Sequence, residues 1–131
     1  MKGHLNHVTA KDAQEAPDMV MGTFPVNSVP AAVLFDSGAS HSFVTKPFVE
    51  KSGMNYSRLI KPMLVQIPGD NAKANHVCNE VLVEIQGKTF HADLIVLGSQ
   101  GIEVVLGMNW MTKHKGVIDC TKKSISMTTS D

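Results

Sequence analysis

Residues 35–40 read FDSGAS and directly follow the apolar run Pro30-Ala31-Ala32-Val33-Leu34. That run has the length and composition of a strand. Asp36 would therefore emerge from a core rather than from a surface loop. Asp-Ser-Gly is good turn chemistry in its own right, because aspartate accepts backbone hydrogens and glycine takes positive φ. Two neighbouring features point beyond a plain turn. Ala39 is small enough to let a second backbone approach. Downstream, Val104-Val105-Leu106-Gly107 again places a glycine after apolar residues and just before a helix pattern.

Short strands with turn signals surround this stretch. Val20, Gly22, Phe24 and Val26 alternate, Asn27-Ser28 marks a turn, and Val29 to Phe35 returns. Thr45 stands where a helix cap belongs, with Pro47 in the first turn and Gly53 at the end. Leu59 to Ile67 is extended, and Pro68-Gly69-Asp70-Asn71 reads as a turn. Val77 to Ile85 alternates as a strand, with Val81, Val83 and Ile85 facing one way and Leu82 and Glu84 the other. Gln86-Gly87-Lys88 turns into a strand from Thr89 to Leu97, and Ile102 to Leu106 is a short strand. Met108 to His114 reads as a helix with Trp110 and Met111 inside. Gly116 to Cys120 and Ser124 to Met127 close as a hairpin across Thr-Lys-Lys. The expected class is all-β with one or two short helices. Residues 1–18, with a weak helical pattern at Ala10 to Ala16, are expected to be a loosely ordered leader before one domain over 19–131.

Composition narrows the chemistry. The 131 residues are 43% hydrophobic and 18% charged, with 12 basic and 12 acidic side chains. A chain without net charge has no bulk attraction to nucleic acid or to an anionic membrane. Only 5% of residues are aromatic, and basic residues are not interleaved with them. Phosphate-cradling glycine motifs, H-E-x-x-H and G-x-S-x-G are all absent. Six histidines are scattered without ligand spacing, so no metal or other cofactor is expected. The longest apolar run, Leu94 to Leu97, is far too short to span a bilayer, and the N-terminus lacks the apolar core of a signal peptide. Cys78 and Cys120 form no C-x-x-C pair. They read as free thiols of a cytoplasmic, intracellular protein.

The segments FDSGASHSFV and VVLGMNWM, about seventy residues apart, together resemble the aspartic proteases. VLFDSGASHSFV, FHADLIVL and VVLGMNWMTKHKGVIDC are most similar to the retropepsin-like protease domain of plant Ty3/gypsy-type retrotransposon polyproteins. The likeness runs from about Val20 to Met127. It implies a retropepsin-like fold in which Asp36 is the catalytic aspartate, Ser37 braces two catalytic loops, and the Gly38 backbone lies beside the carboxylate. It places Ala39 and Ser40 along a substrate groove. It also implies a flap from about Val65 to Val77, with Gly69 and Asp70 at a tip that departs from the glycine-rich tips of viral proteases.

The chemistry implied by this resemblance needs two carboxylates sharing one proton, yet only one D-[ST]-G occurs. The expected active form is therefore a homodimer with one Asp36 from each subunit about a two-fold axis. Its substrate would be an extended polypeptide held by the flap as an added strand. Three other readings remain open at this level. They are an inactive retropepsin-like dimerisation module, a ubiquitin-shuttle-type retropepsin domain, and a β-rich small-molecule binder in which Asp36 only closes a turn.

Overall fold

The computed structural model describes residues 19–67, 70–98, 101–119 and 124–127. Its first element is a hairpin of β1 (Met19–Val26) and β2 (Val29–Asp36). Asn27 and Ser28 both hold positive φ, 48° and 67°. A two-residue loop needs that geometry to reverse a right-twisted strand pair. The Asn27 side chain also accepts from the Leu82 N–H at 2.8 Å, tying the turn to a distant strand.

The chain continues through β3 (Phe43–Thr45), α1 (Lys46–Ser52), β4 (Ser57–Ile67), β5 (Asp70–Ile85) and β6 (Lys88–Leu97). Then follow β7 (Val104–Leu106), α2 (Met108–His114), β8 (Val117–Asp119) and β9 (Ser124–Ser126). Seven strands form one sheet in the order β1-β2-β7-β3-β6-β5-β4, and β1 also touches β5 through Val26 and Val83. The pairs β2–β7 and β3–β6 are parallel, whereas β3–β7 is antiparallel. The late strand β7 thus inserts between β2 and β3, and the chain crosses itself at the end of β2.

Alternation along these strands feeds two cores. Ala31, Val33 and Phe35 of β2, Val44 of β3, Ala92 and Leu94 of β6, and Val104 and Leu106 of β7 join one cluster. Leu34, Phe43, Ile95 and Val105, their neighbours in sequence, join the other. A strand buried on both faces reads as a continuous apolar run, which is why VPAAVLF and VVL look unpatterned. The first core is aromatic. Phe35 meets Phe24 edge-on at 5.4 Å and Trp110 at 5.8 Å, and Phe90 meets Trp110 at 5.9 Å. Helix α2 enters the core through Trp110 and Met111, and the residue before Asp36 is held from two sides.

In β5, Cys78 pairs with Leu94 but Val81 pairs with Ala92, so one extra residue bulges out. Glu80 sits in the bulge at φ 55°, and its N–H donates to Asp93 Oδ1 at 2.9 Å. The bulge changes the parity of the strand, so both Cys78 and Val81 point into the first core.

Most expected elements stand where the sequence placed them, with three corrections. Thr45 takes the extended N-cap conformation, but its side chain makes no cap hydrogen bond. It is buried, and its N–H donates to the Glu103 carbonyl at 3.0 Å. Proline at the start of α1 and Gly53 in left-handed geometry with φ 70° bound the helix instead. Asp70 and Asn71 are not turn residues. They pair with Ile67 and Gln66, because the ladder runs on to the pair Ile67 and Asp70. Strand β5 accordingly begins at Asp70, not near Val77. Residues 1–18, Pro68, Gly69, Cys120 and the Thr121 to Lys123 turn lie outside the described residues. Among the described residues, no helix is long and apolar enough to cross a membrane.

Burial pushes the Cys78 thiol up from 9.0 to about 11. The native thiol is therefore expected to resist iodoacetamide at pH 8.5 and to react once the chain is denatured, read at Cys78 by peptide mapping. The folded state keeps this proton longer than the unfolded chain does. The associated stability is full below about pH 9 and declines as pH rises toward 11. Rapid native alkylation, or a flat stability profile in Cys78→Ala and wild type alike, would contradict this.

Candidate active site

Strand β2 ends on Asp36, which is completely buried, while the next two residues, Ser37 and Gly38, are exposed. Alternation decides this. Phe35 points into the aromatic core, so Asp36 points to the opposite side, the side of Leu34 and the second cluster. A buried carboxylate needs hydrogen-bond donors. One is the Gly38 N–H, 2.9 Å from Asp36 Oδ1, and the Ala39 N–H closes the same turn on the Asp36 carbonyl at 3.1 Å. The Asp-Ser-Gly segment thus satisfies its own backbone locally while aiming one acid away from the aromatic core.

The loop after Asp36 is clamped by the crossing segment Leu106-Gly107-Met108. The Met108 N–H donates to the Ala39 carbonyl at 2.7 Å. A Cβ on Gly107 would lie 2.3 Å from the His41 carbonyl oxygen and 2.6 Å from that of Ala39. Real atoms do not approach that closely, so glycine here is a demand of contact between two backbones. Below the crossing, the buried hydroxyl of Ser42 accepts from the Gly107 N–H at 3.0 Å and donates to Asn109 Oδ1 at 2.8 Å. Ser42 also offers its carbonyl to the Ile95 N–H at 3.0 Å. One serine therefore joins the acid-bearing loop to β6, to the β7 exit and to α2.

Glu103 is a second junction. Its side chain accepts from the Ala32 N–H at 2.8 Å and from Lys51 at 3.3 Å. Its backbone bonds to Ala32 and Thr45. It holds β2, β3 and α1 together just before β7.

The hairpin of β4 and β5 lies over the same side as Asp36. Its inward residues Val65 and Ala74 belong to the cluster that contains Ala39, Phe43, Leu34 and Val105. Its outward face exposes Leu64 opposite Lys73.

The structure brings Asp36, Ser37, Gly38, Ala39 and Ser40 together in one turn. Ala39 is buried beneath the crossing, and Ser40 is exposed with its Oγ 3.0 Å from His41 Nδ1. Asp70 lies at the far end of the β4–β5 hairpin, paired with Ile67, and Gly69 is outside the described residues. Sequence reading passed over Ser42, Glu103 and Asn109. The signal for Ser42 was weak, a lone polar residue between the motif and an apolar strand. Glu103 carried the signal of an acid interrupting an apolar run.

Replacing Gly107 by alanine is expected to lower stability by about 1–3 kcal/mol or more, since neither facing carbonyl can withdraw without breaking the loop. Ser42→Ala leaves the buried Gly107 N–H unpaired and is expected to cost about 1–3 kcal/mol. Urea unfolding midpoints at constant m-value read both. A Gly107→Ala protein as stable as wild type would contradict the crossing geometry.

Comparison with known protein families matches residues 1–131 to the family described as retroviral aspartyl protease. Among solved structures, the retroviral protease-like domain of Ddi1 from Leishmania major superposes with a TM-score of 0.66 at 18% identity. That match covers 83% of this chain and 87% of the other. The EIAV protease complexed with the inhibitor HBY-793 superposes with a TM-score of 0.59 at 17% identity, covering 71% and 85%. At these identities the superpositions speak to the fold, which is retropepsin-like.

Proposed function

The chain belongs to the retroviral aspartyl protease family, and from that premise we propose that it is an aspartic endopeptidase working as a homodimer. The observation that carries the reading is the Asp36 turn itself. An acid at the end of a core strand is aimed away from the aromatic core and held by Gly38, beneath a two-backbone crossing at Gly107. A single D-[ST]-G per chain requires a second copy to supply the other carboxylate. Ser37 and Gly38 are the exposed residues of the turn, which suits a tip that meets its counterpart across a two-fold axis.

In this reading Asp36 and the partner copy's equivalent share one proton, because two carboxylates at close range cannot both ionise. The ionised member takes a proton from water as it attacks the peptide carbonyl. The protonated member donates to the carbonyl oxygen, and a proton passes to the leaving amine as the C–N bond breaks. No covalent intermediate forms. Ser37 braces the two turns, and the Gly38 N–H holds the carboxylate. Ala39 and Ser40 border the groove, and the β4–β5 hairpin, with Gly69 and Asp70 near its tip, covers an extended polypeptide. The domain spans residues 19–131, with residues 1–18 as a leader, and acts inside the cell. The motif likeness supports a plant Ty3/gypsy-type retrotransposon polyprotein as both origin and substrate.

A second reading is a ubiquitin-shuttle-type retropepsin domain, supported by the likeness to the Ddi1 domain. A dimer lacking activity on an unstructured protein substrate would favour it, or an assembly role.

Hydrolysis of an unstructured protein substrate between pH 4 and 7 tests the enzyme. Activity is expected to rise faster than linearly with enzyme concentration when dilute. It should trace a bell with pH, falling when both carboxylates are protonated and again when both ionise. Asp36→Asn is expected to lose at least about 10²-fold in rate. Equal rates in mutant and wild type, or no turnover where the chain is dimeric, would refute the proposal.

A further inference from the structure

A cavity of about 200 Å³ lies between the base of the β4–β5 hairpin, α1 and the end of β6, and no residue of the Asp36 turn lines it. Its apolar floor comes from Val49, Val96 and Leu97. Lys46 and Glu50 line it from one helix face, one turn apart, and Lys73 faces it from β5. Tyr56 and His76 border it, with their rings edge-to-face at 5.2 Å.

The charges in this cavity are unbalanced. Two lysines and one glutamate line it, although the whole chain has no net charge. Among the described residues the ion pair is Lys51–Glu103, which engages neither Lys46 nor Lys73. Two uncommitted cations over an apolar floor match a carboxylate carried on an apolar body. An isolated inorganic anion would leave the floor of Val96 and Leu97 unused. Leu64, exposed beside Lys73 on the same face of the hairpin, extends the apolar surface outward. An extended peptide could follow that line, with an acidic side chain between the lysines and an apolar neighbour on the floor.

We propose that this cavity is a docking site for an acidic segment of a partner polypeptide, separate from the Asp36 turn. It involves Lys73, Asn75 and His76 of the hairpin, whereas Val65 and Ala74 pack in the cluster that contains Ala39. Binding there is independent of hydrolysis and would persist in Asp36→Asn.

The test is a ¹H–¹⁵N NMR titration of the full 131-residue chain with acetyl-Leu-Glu-Leu-amide, alongside acetyl-Leu-Gln-Leu-amide and inorganic phosphate. Saturable shifts are expected at Lys73, Asn75, His76 and Gly98 with the glutamate peptide. The glutamine peptide should bind about fivefold more weakly, the scale of exposed ion pairs. Lys46→Ala combined with Lys73→Ala should abolish that preference while leaving the spectrum around Asp36 unchanged, and added salt should weaken only the glutamate peptide. Both lysines are exposed, so the fold is expected to tolerate the change, and Lys73→Gln provides a milder second variant. Equal binding of the two peptides would overturn the proposal, as would shifts centred on Asp36 to Ser40. So would a response to phosphate matching the glutamate peptide, or an unaltered preference in both lysine variants.

Discussion

The contact between Gly107 and the carbonyls of Ala39 and His41 governs this molecule. Two backbones touch there with no side chain between them. Everything near Asp36 is arranged to permit that contact: a short β7 wedged between β2 and β3, a glycine at its exit, and a buried serine that satisfies the glycine's N–H. Because Met108 immediately begins α2, the same crossing delivers Trp110 to the core against Phe35. The residue before the acid and the loop after it are thus fixed by a single strand–glycine–helix unit.

The double core follows from the same crossing. Once β7 lies between β2 and β3, the central strands are covered on both sides, by aromatic residues and α2 on one and by the β4–β5 hairpin on the other. An acid emerging from such a strand is withdrawn from water unless the hairpin or a partner reshapes its surroundings. The crossing thus leaves Asp36 completely buried. It also separates the two faces of the hairpin. On one face Val65 and Ala74 pack with Leu34 and Ala39, and on the other Lys73 and Leu64 are exposed.

Much of this was legible in the chain because the decisive signals are local. Asn27-Ser28, Gly53 and Gln86-Gly87 fix turns through backbone conformation that few residues tolerate. The limits of local reading show equally well at particular residues. Asp70 and Asn71 have turn chemistry, yet ladder hydrogen bonds draw them into β5. Thr45 has cap chemistry, yet its neighbours bury it and its backbone N–H bonds elsewhere. The parity change at Glu80 places Cys78 and Val81 in one core, and no periodicity argument anticipates an extra residue. Ser42, Glu103 and Asn109 find their roles only through partners fifty or more residues away.

The sequence by itself determined that Asp36 ends an apolar strand, that a glycine follows a second apolar strand before a helix, and that each chain carries one D-S-G. These are statements about neighbours along the chain, set by sterics and by which side chains can leave water. Tertiary structure alone decided that Gly107 lies beneath Ala39 and His41, that Ser42 rather than Thr45 supplies the structural hydroxyl, and that Lys46 and Lys73 line the same cavity. All of this depends on which strands become neighbours in space. That choice is made by burying two cores at once, a global balance of packing that no short stretch of residues encodes.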